Sequence, residues 1–130
     1  MSSNDNRRFT VDELRKIDAA DDLKISPFRS DGITYGTPTW IWNVVVEGQL
    51  YVRAYNGRSS RWHQSATQQG SGRIHAAGMV KEVIFGQIED EGIQTKIDDA
   101  YRAKYHGSPY LPPMIDKRAK DATIRINPLS

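Results

Sequence analysis

Trp40-Ile41-Trp42-Asn43-Val44-Val45-Val46-Glu47-Gly48-Gln49-Leu50-Tyr51-Val52-Arg53-Ala54-Tyr55-Asn56-Gly57 is the stretch on which the fold turns. Residues 40–46 are aromatic and β-branched, with apolar side chains on both faces, which predicts a central strand covered on both sides. Glu47-Gly48-Gln49 supplies a tight hairpin turn. Leu50 to Tyr55 then returns as a partner strand of period two. Leu50, Val52 and Ala54 face one way and Tyr51, Arg53 and Tyr55 the other, so Arg53 is expected on the face away from the core. Asn56-Gly57 reverses the chain again.

Upstream, Thr10-Val11-Asp12-Glu13 has the spacing of a capping box, in which the threonine hydroxyl and the glutamate carboxylate satisfy each other's backbone N–H. Leu14 and Ile17 continue it at helical spacing, predicting a helix over 11–20. Residues 23–28 read as a strand that Pro27 places at an edge or bend, and 29–38 as a glycine- and proline-rich loop. Downstream of the decisive stretch, Ser59 or Ser60 can cap a helix running to Gln69, closed by Gly70. Strands follow over 73–77 and 79–88. The best apolar helical stripe in the chain, Ile93, Ile97, Ala100 and Tyr101, predicts a helix over 91–105. Residues 108–113 form a proline-rich loop, Asp116 to Lys120 one helical turn, and 122–126 a last strand. The expected fold is therefore α+β. It is a six-stranded, mostly antiparallel split β-barrel with about three flanking helices, forming a single domain over 9–130 behind a disordered tail over 1–8.

Composition narrows the function classes. A chain of 130 residues has no apolar run approaching the ~20 that a spanning helix needs, so no membrane partner is expected. The N-terminus lacks the apolar segment of a secretory signal. With no cysteine there is no disulfide, thiolate metal site or cysteine nucleophile, and a cytoplasmic location is expected. His63, His75 and His106 are not at metal-ligand spacing, and no metal is expected. The net charge of +2 argues against nucleic acid as a partner. Its distribution is uneven: from Gly48 to Val80 there is no acidic residue, while that window holds Arg53, Arg58, Arg61 and Arg73. Local positive charge in a nearly neutral chain favours a discrete anionic ligand.

That ligand site is expected at Arg53 and Tyr55-Asn56-Gly57-Arg58-Ser59-Ser60. A guanidinium can grip a phosphate or carboxylate through two parallel hydrogen bonds. Ser59 and Ser60 add hydroxyls and the free N–H groups of a helix start. The same residues also have a purely structural reading: Ser59 caps, Asn56-Gly57 turns, and Arg53 pairs with a surface acid. Trp40, Trp42 and Trp62 could stack on a planar ring, although at least two of them are expected in the core. His63 and Tyr110 are the candidate proton-transfer groups, Tyr110 because it sits in a proline-fixed loop.

Three segments carry a family resemblance: Tyr35-Gly-Thr-Pro-Thr-Trp-Ile-Trp42, Gly48-Gln-Leu-Tyr-Val-Arg-Ala-Tyr-Asn-Gly-Arg-Ser-Ser-Arg-Trp62 and Ala100-Tyr-Arg-Ala-Lys-Tyr-His-Gly-Ser-Pro-Tyr-Leu-Pro-Pro-Met114. Together they resemble the DUF2255 family, a bacterial and fungal family of unassigned function. That family is in turn similar to the FMN-binding split barrels: pyridoxamine-phosphate oxidase-like proteins and deazaflavin-dependent nitroreductases. The resemblance implies a homodimer holding FMN or a deazaflavin. Arg53, Arg58, Ser59, Ser60 and Arg61 would take the phosphate, Pro38, Thr39, Trp40 and Ile41 would lie along the ring, and Tyr110 would serve on the substrate side. The spaced Arg…Lys phosphate pair of the flavin oxidases has no counterpart, the first basic residue after Arg61 being Arg73. Two further readings fit the same residues: a cofactor-free split barrel binding or transforming an acidic small molecule, and a structural homodimer without ligand.

Overall fold

The computed structural model describes residues 8–129. Of the tail read over 1–8, only Arg8 falls among them, and the rest of that expectation lies outside the described residues. Helix α1 spans Val11–Ala20 and opens as its sequence dictates. The Thr10 hydroxyl accepts from the Glu13 N–H at 3.0 Å, and the Glu13 carboxylate accepts from the Thr10 N–H at 2.9 Å. The strands are β1 (Lys24–Pro27), β2 (Thr39–Trp40), β3 (Asn43–Val46), β4 (Gln49–Arg53), β5 (Ser71–Ala76), β6 (Met79–Gln87) and β7 (Thr123–Pro128). The remaining helices are α2 (Arg61–Gln69), α3 (Glu91–Lys104), α4 (Leu111–Met114) and α5 (Lys117–Lys120). A short 3-10 turn, Gly57–Ser59, precedes α2. Two-residue turns with left-handed backbone, Glu47-Gly48 and Ala77-Gly78, close the β3–β4 and β5–β6 hairpins.

All seven strands pair antiparallel in one sheet of order β2-β1-β5-β6-β7-β4-β3. The two outermost strands, β2 and β3, are neighbours in sequence, with only Ile41 and Trp42 between them. Laid flat, six inter-strand gaps would hold the edges roughly 29 Å apart. Three residue steps from Trp40 to Asn43 reach at most about 11 Å. The sheet must therefore curl until its edges nearly meet, giving a mixed α+β fold built on an antiparallel half-barrel. The seam of the curl lies at residues 39–43.

The expectation of six strands and three helices is corrected to seven and five among the described residues. The run 40–46 is not one central strand. It pairs with β1 through Trp40, crosses the seam, and pairs with β4 from Asn43 onward. Its apolar character on both faces reflects real double coverage at an edge. Val44 and Val46 pack with Ile97 and Tyr101 of α3 and with Tyr105 at its C-terminal end, while Val45 packs against the other core. Helix α5 is the single turn expected over 116–120, capped by Asp116, while the end of the expected proline-rich loop, Leu111-Pro112-Pro113-Met114, winds one helical turn as α4.

Two cores result. The larger fills the concave side of the sheet. It joins Leu14 and Ile17 of α1 to Ile25, Leu50, Val52, Ile74, Val83, Ile124 and Ile126, one or two residues from each long strand. The smaller lies on the opposite side of β3 and β4 beneath α3 and includes Tyr51, Ile97, Tyr101 and Met114. Strand β4 thus has no solvated face: Tyr51 and Arg53, alternating with Leu50 and Val52, are buried as well.

Gly72 tests how closely β1 lies on β5. A Cβ at this position would stand 2.5 Å from the Ser26 carbonyl oxygen and 2.6 Å from the Pro27 Cα, both backbone atoms that no rotamer change can move. Gly72→Ala is expected to destabilise the fold by about 1–3 kcal/mol, as overpacking does. Thermal unfolding of the purified variant measures it, and an unchanged midpoint would show that the strands are not this close.

Candidate ligand-binding cleft

Arg53 is 1% exposed. The guanidinium has five N–H donors, and each is taken within the protein. Nε donates to Thr123 Oγ1 at 3.0 Å; Nη1 donates to Asp98 Oδ1 at 2.6 Å and to the Met114 carbonyl at 3.1 Å; Nη2 donates to Gln94 Oε1 at 2.7 Å and to the Gln94 carbonyl at 3.4 Å. The second Asp98 oxygen lies 3.0 Å from Lys120 Nζ. The expected grip of Arg53 on a ligand anion is therefore corrected: no donor remains for one. The cause is the second core, which covers the face of β4 that sequence alternation left open. Arg53 instead ties β4 to α3, α4 and β7.

A cleft of about 670 Å³ nevertheless forms beside it. One wall is the seam, Thr39 to Trp42; another is Tyr55, Asn56 and the start of α2, Ser60 to Trp62; Tyr110 and Met114 close it, with Arg53 on its floor. All three tryptophans of the chain line it. Two of them keep a core side, as expected: Trp62 and Trp42 are half-buried and pack against the larger and the smaller core, while Trp40 is 52% exposed. Each is held from behind. The Trp40 Nε1–H donates to the Asp21 carbonyl at 3.2 Å. Trp42 lies flat on Tyr105, centroids 3.8 Å apart and planes 3° apart. Trp62 packs against the larger core. The Tyr105 hydroxyl, in turn, donates to Asp21 Oδ1 at 2.5 Å and accepts from the Asn43 N–H at 3.1 Å, and burial pushes its pKa up, so it stays protonated. At the mouth Tyr55 and Tyr110 meet edge to face at 6.2 Å.

Of the residues singled out from sequence, Thr39, Trp40, Ile41, Arg53, Tyr55, Asn56, Ser60, Arg61 and Tyr110 converge on this cleft. Pro38, Arg58, Ser59 and His63 are not among its lining residues. Arg58 Nε donates to the Asp121 carbonyl at 2.9 Å. The Ser59 hydroxyl donates to the Asn56 carbonyl at 3.2 Å within the 3-10 turn. His63 is buried on α2, where desolvation, and secondarily the Arg58 charge, hold its pKa below the ordinary histidine value. Ser60 is the N-cap of α2, and its hydroxyl makes no capping bond. Among the described residues the Arg61 side chain makes no hydrogen bond or ion pair.

The family model described as an uncharacterized protein conserved in bacteria (DUF2255) matches residues 13–126. The chain belongs to the DUF2255 family. No curated protein matches it. Among solved structures, the DUF2255 chain is similar to the conserved hypothetical protein Rv2991 from Mycobacterium tuberculosis. The TM-score is 0.59 at 11% identity, over 97% of this chain and 82% of that one. A likeness at that identity shows a shared fold and nothing further.

In this DUF2255 chain the partners of Arg53 carried a sequence signal. Gln94 and Asp98 stand four apart on α3, in register with buried Ile97 and Tyr101. A polar i, i+4 pair beside an apolar stripe marks a buried counter-group. Met114 carried none, because its place in the cleft depends on how α4 returns to β4.

Two outcomes test this electrostatic account. Arg53→Met leaves Asp98, Gln94 and Thr123 without their donor, and the loss expected from breaking a buried pair is about 3–5 kcal/mol. It falls toward the lower figure because Lys120 still holds Asp98. Arg53→Lys, with fewer donors and no planar fork, is expected in between; urea unfolding measures both. For His63 the folded pKa lies below the unfolded value near 6.5. The unfolded chain therefore binds the proton more readily: the contribution is complete above pH 6.5 and is lost as pH falls from there through the folded pKa. A urea series from pH 7.5 to 5 is expected to show that acid limb in the parent and a shallower one in His63→Gln.

Proposed function

We propose that the cleft binds a planar small molecule carrying an anionic group, with a flavin or deazaflavin as the leading class. The observation that carries this reading is the gathering of all three tryptophans, with Tyr55 and Tyr110, around one cleft of about 670 Å³. That volume suits a small-molecule site, and flat aromatic walls suit a flat ring. For the anion the cleft offers Arg61, the Ser60 hydroxyl and the first N–H groups of α2, where the helix dipole also favours negative charge. Trp40, Trp42 and Trp62 would hold the ring. A bound flavin or deazaflavin would supply hydride-transfer chemistry. The residues of this chain would orient the ring, exclude water from its face and, at the exposed Tyr110 hydroxyl, deliver a proton. His63 stands outside this scheme. The kinship with flavin-binding split barrels, a homodimeric assembly and a cytoplasmic setting belong to the same proposal; a curled antiparallel sheet with its cleft at the seam favours the first.

A second reading is favoured by the charge inventory. With Arg53 engaged internally, Arg61 is the guanidinium the cleft offers. One such group suits an aromatic monocarboxylate bound without any cofactor.

Tryptophan emission reports directly on the cleft. Saturating FMN or deazaflavin is expected to quench it and to raise the melting temperature, and Arg61→Glu to weaken binding about tenfold without altering the fold, the size of one charge-assisted bond. If neither cofactor changes emission or melting while an aromatic carboxylate such as naphthoate does, the cofactor-free reading replaces the first.

A further inference from the structure

A second cleft, of about 620 Å³, adjoins the first and is lined by Tyr55, Pro112, Pro113, Ile115, Asp116 and Arg118. Tyr55 lines both. This second cleft has an apolar side, Tyr55, Pro112, Pro113 and Ile115, and a charged side formed by Asp116 and Arg118. Its carboxylate, Asp116, is turned to α5, where Oδ1 caps the helix by accepting the Lys117 N–H at 2.9 Å. Helix α5 carries three basic residues. Lys117 pairs with Asp121 at 2.8 Å and Lys120 with Asp98 at 3.0 Å. Arg118, among the described residues, has no hydrogen bond or ion pair.

Arg118 is also positioned. Its aliphatic stem lies across Gly57, where a Cβ would come within 2.4 Å of Arg118 Cγ, and Gly57 has φ +77. The glycine of the Asn56-Gly57 turn thus both reverses the chain and makes room for the arginine. Arg61 on the first cleft and Arg118 on the second are each unpaired among the described residues, and exposed Tyr55 stands between the two clefts.

We infer that the two clefts are halves of one elongated site, built for a ligand of the dinucleotide class: two planar heads joined by an anionic linker that crosses Tyr55 between Arg61 and Arg118. The inference rests on the reading of the first cleft as a planar-ligand site and extends it. A mononucleotide fills the first cleft alone. A dinucleotide also places its second ring against Pro112, Pro113 and the Arg118 guanidinium plane, which stacks on aromatic faces as an ammonium does not.

The test compares riboflavin, FMN and FAD, which share one ring system, by quenching of tryptophan emission. FAD is expected to bind at least tenfold tighter than FMN. Arg118→Glu is expected to bring FAD down to the FMN level while leaving FMN unchanged, and Arg118→Lys to retain only part of the gain. Equal affinities for FMN and FAD, or an Arg118→Glu variant that binds FAD as the parent does, would overturn the two-cleft site and leave the first cleft standing. Absence of binding by all three flavins would overturn the two-cleft site together with the flavin reading of the first cleft.

Discussion

Ile41 and Trp42 are all that separates the two edge strands of a seven-stranded sheet. That short covalent link is the constraint from which the rest follows. It forces the sheet to curl, and the curl sorts side chains into an enclosed concave core and a second layer under α3. It also leaves a seam at which backbone pairing changes partner. Ladder pairing of the 39–46 run passes from β1 to β4 across that gap. A seam of this kind exposes side chains that no neighbouring strand covers, and here these are aromatic.

The second consequence is the burial of a charge. Because α3 covers the outer face of β4, the side chain at position 53 must enter a core. A buried guanidinium is tolerable only when its donors are met, since an unpaired buried charge costs many times what an ordinary hydrogen bond returns. Here all five are met, by four residues of β7, α3 and α4. The same side chain passes 5.4 Å from the centre of the Tyr101 ring. An apolar residue of similar volume would avoid the desolvation cost, but it would not specify where α4 must dock. The directional demands of the guanidinium place Met114 at the edge of the cleft and so help define the cleft's shape.

Most local structure was legible because its causes are local. The capping box of α1, the glycine end of α2, the two hairpin turns and the apolar stripe of α3 each follow from backbone rules that need no tertiary context. The placement of residues 40–46 was not legible, since a doubly covered edge strand and a central strand share one pattern of apolar residues. Arg53 was misplaced for a related reason. Period-two alternation says which side chains share a face but not what covers that face, and the cover came from α3, some forty residues away. The site itself was partly legible: turn chemistry and aromatic residues marked the right neighbourhood, while the residue chosen as its centre turned out to be its foundation.

The exposure of Trp40, Tyr55 and Tyr110 has an energetic meaning beyond their number. Large aromatic side chains gain most from burial, yet these three remain 52%, 42% and 60% exposed. Scattered singly, such residues need no explanation; gathered on the rim of one cleft, they do. Folding does not need this arrangement, because two complete cores form without it. The rings are nevertheless anchored, Trp40 by the Asp21 carbonyl and Tyr110 by the edge of Tyr55. Anchored aromatic surface facing a cavity loses little side-chain entropy when a second flat surface meets it, which is the condition for binding a ring rather than for merely tolerating one. The cations Arg61 and Arg118 follow the same logic, each left without a side-chain partner among the described residues. Among the described residues the buried guanidinium is thus satisfied completely, while those of Arg61 and Arg118 stay unpaired beside the two clefts. That contrast separates charge used to build this fold from charge kept available at its surface.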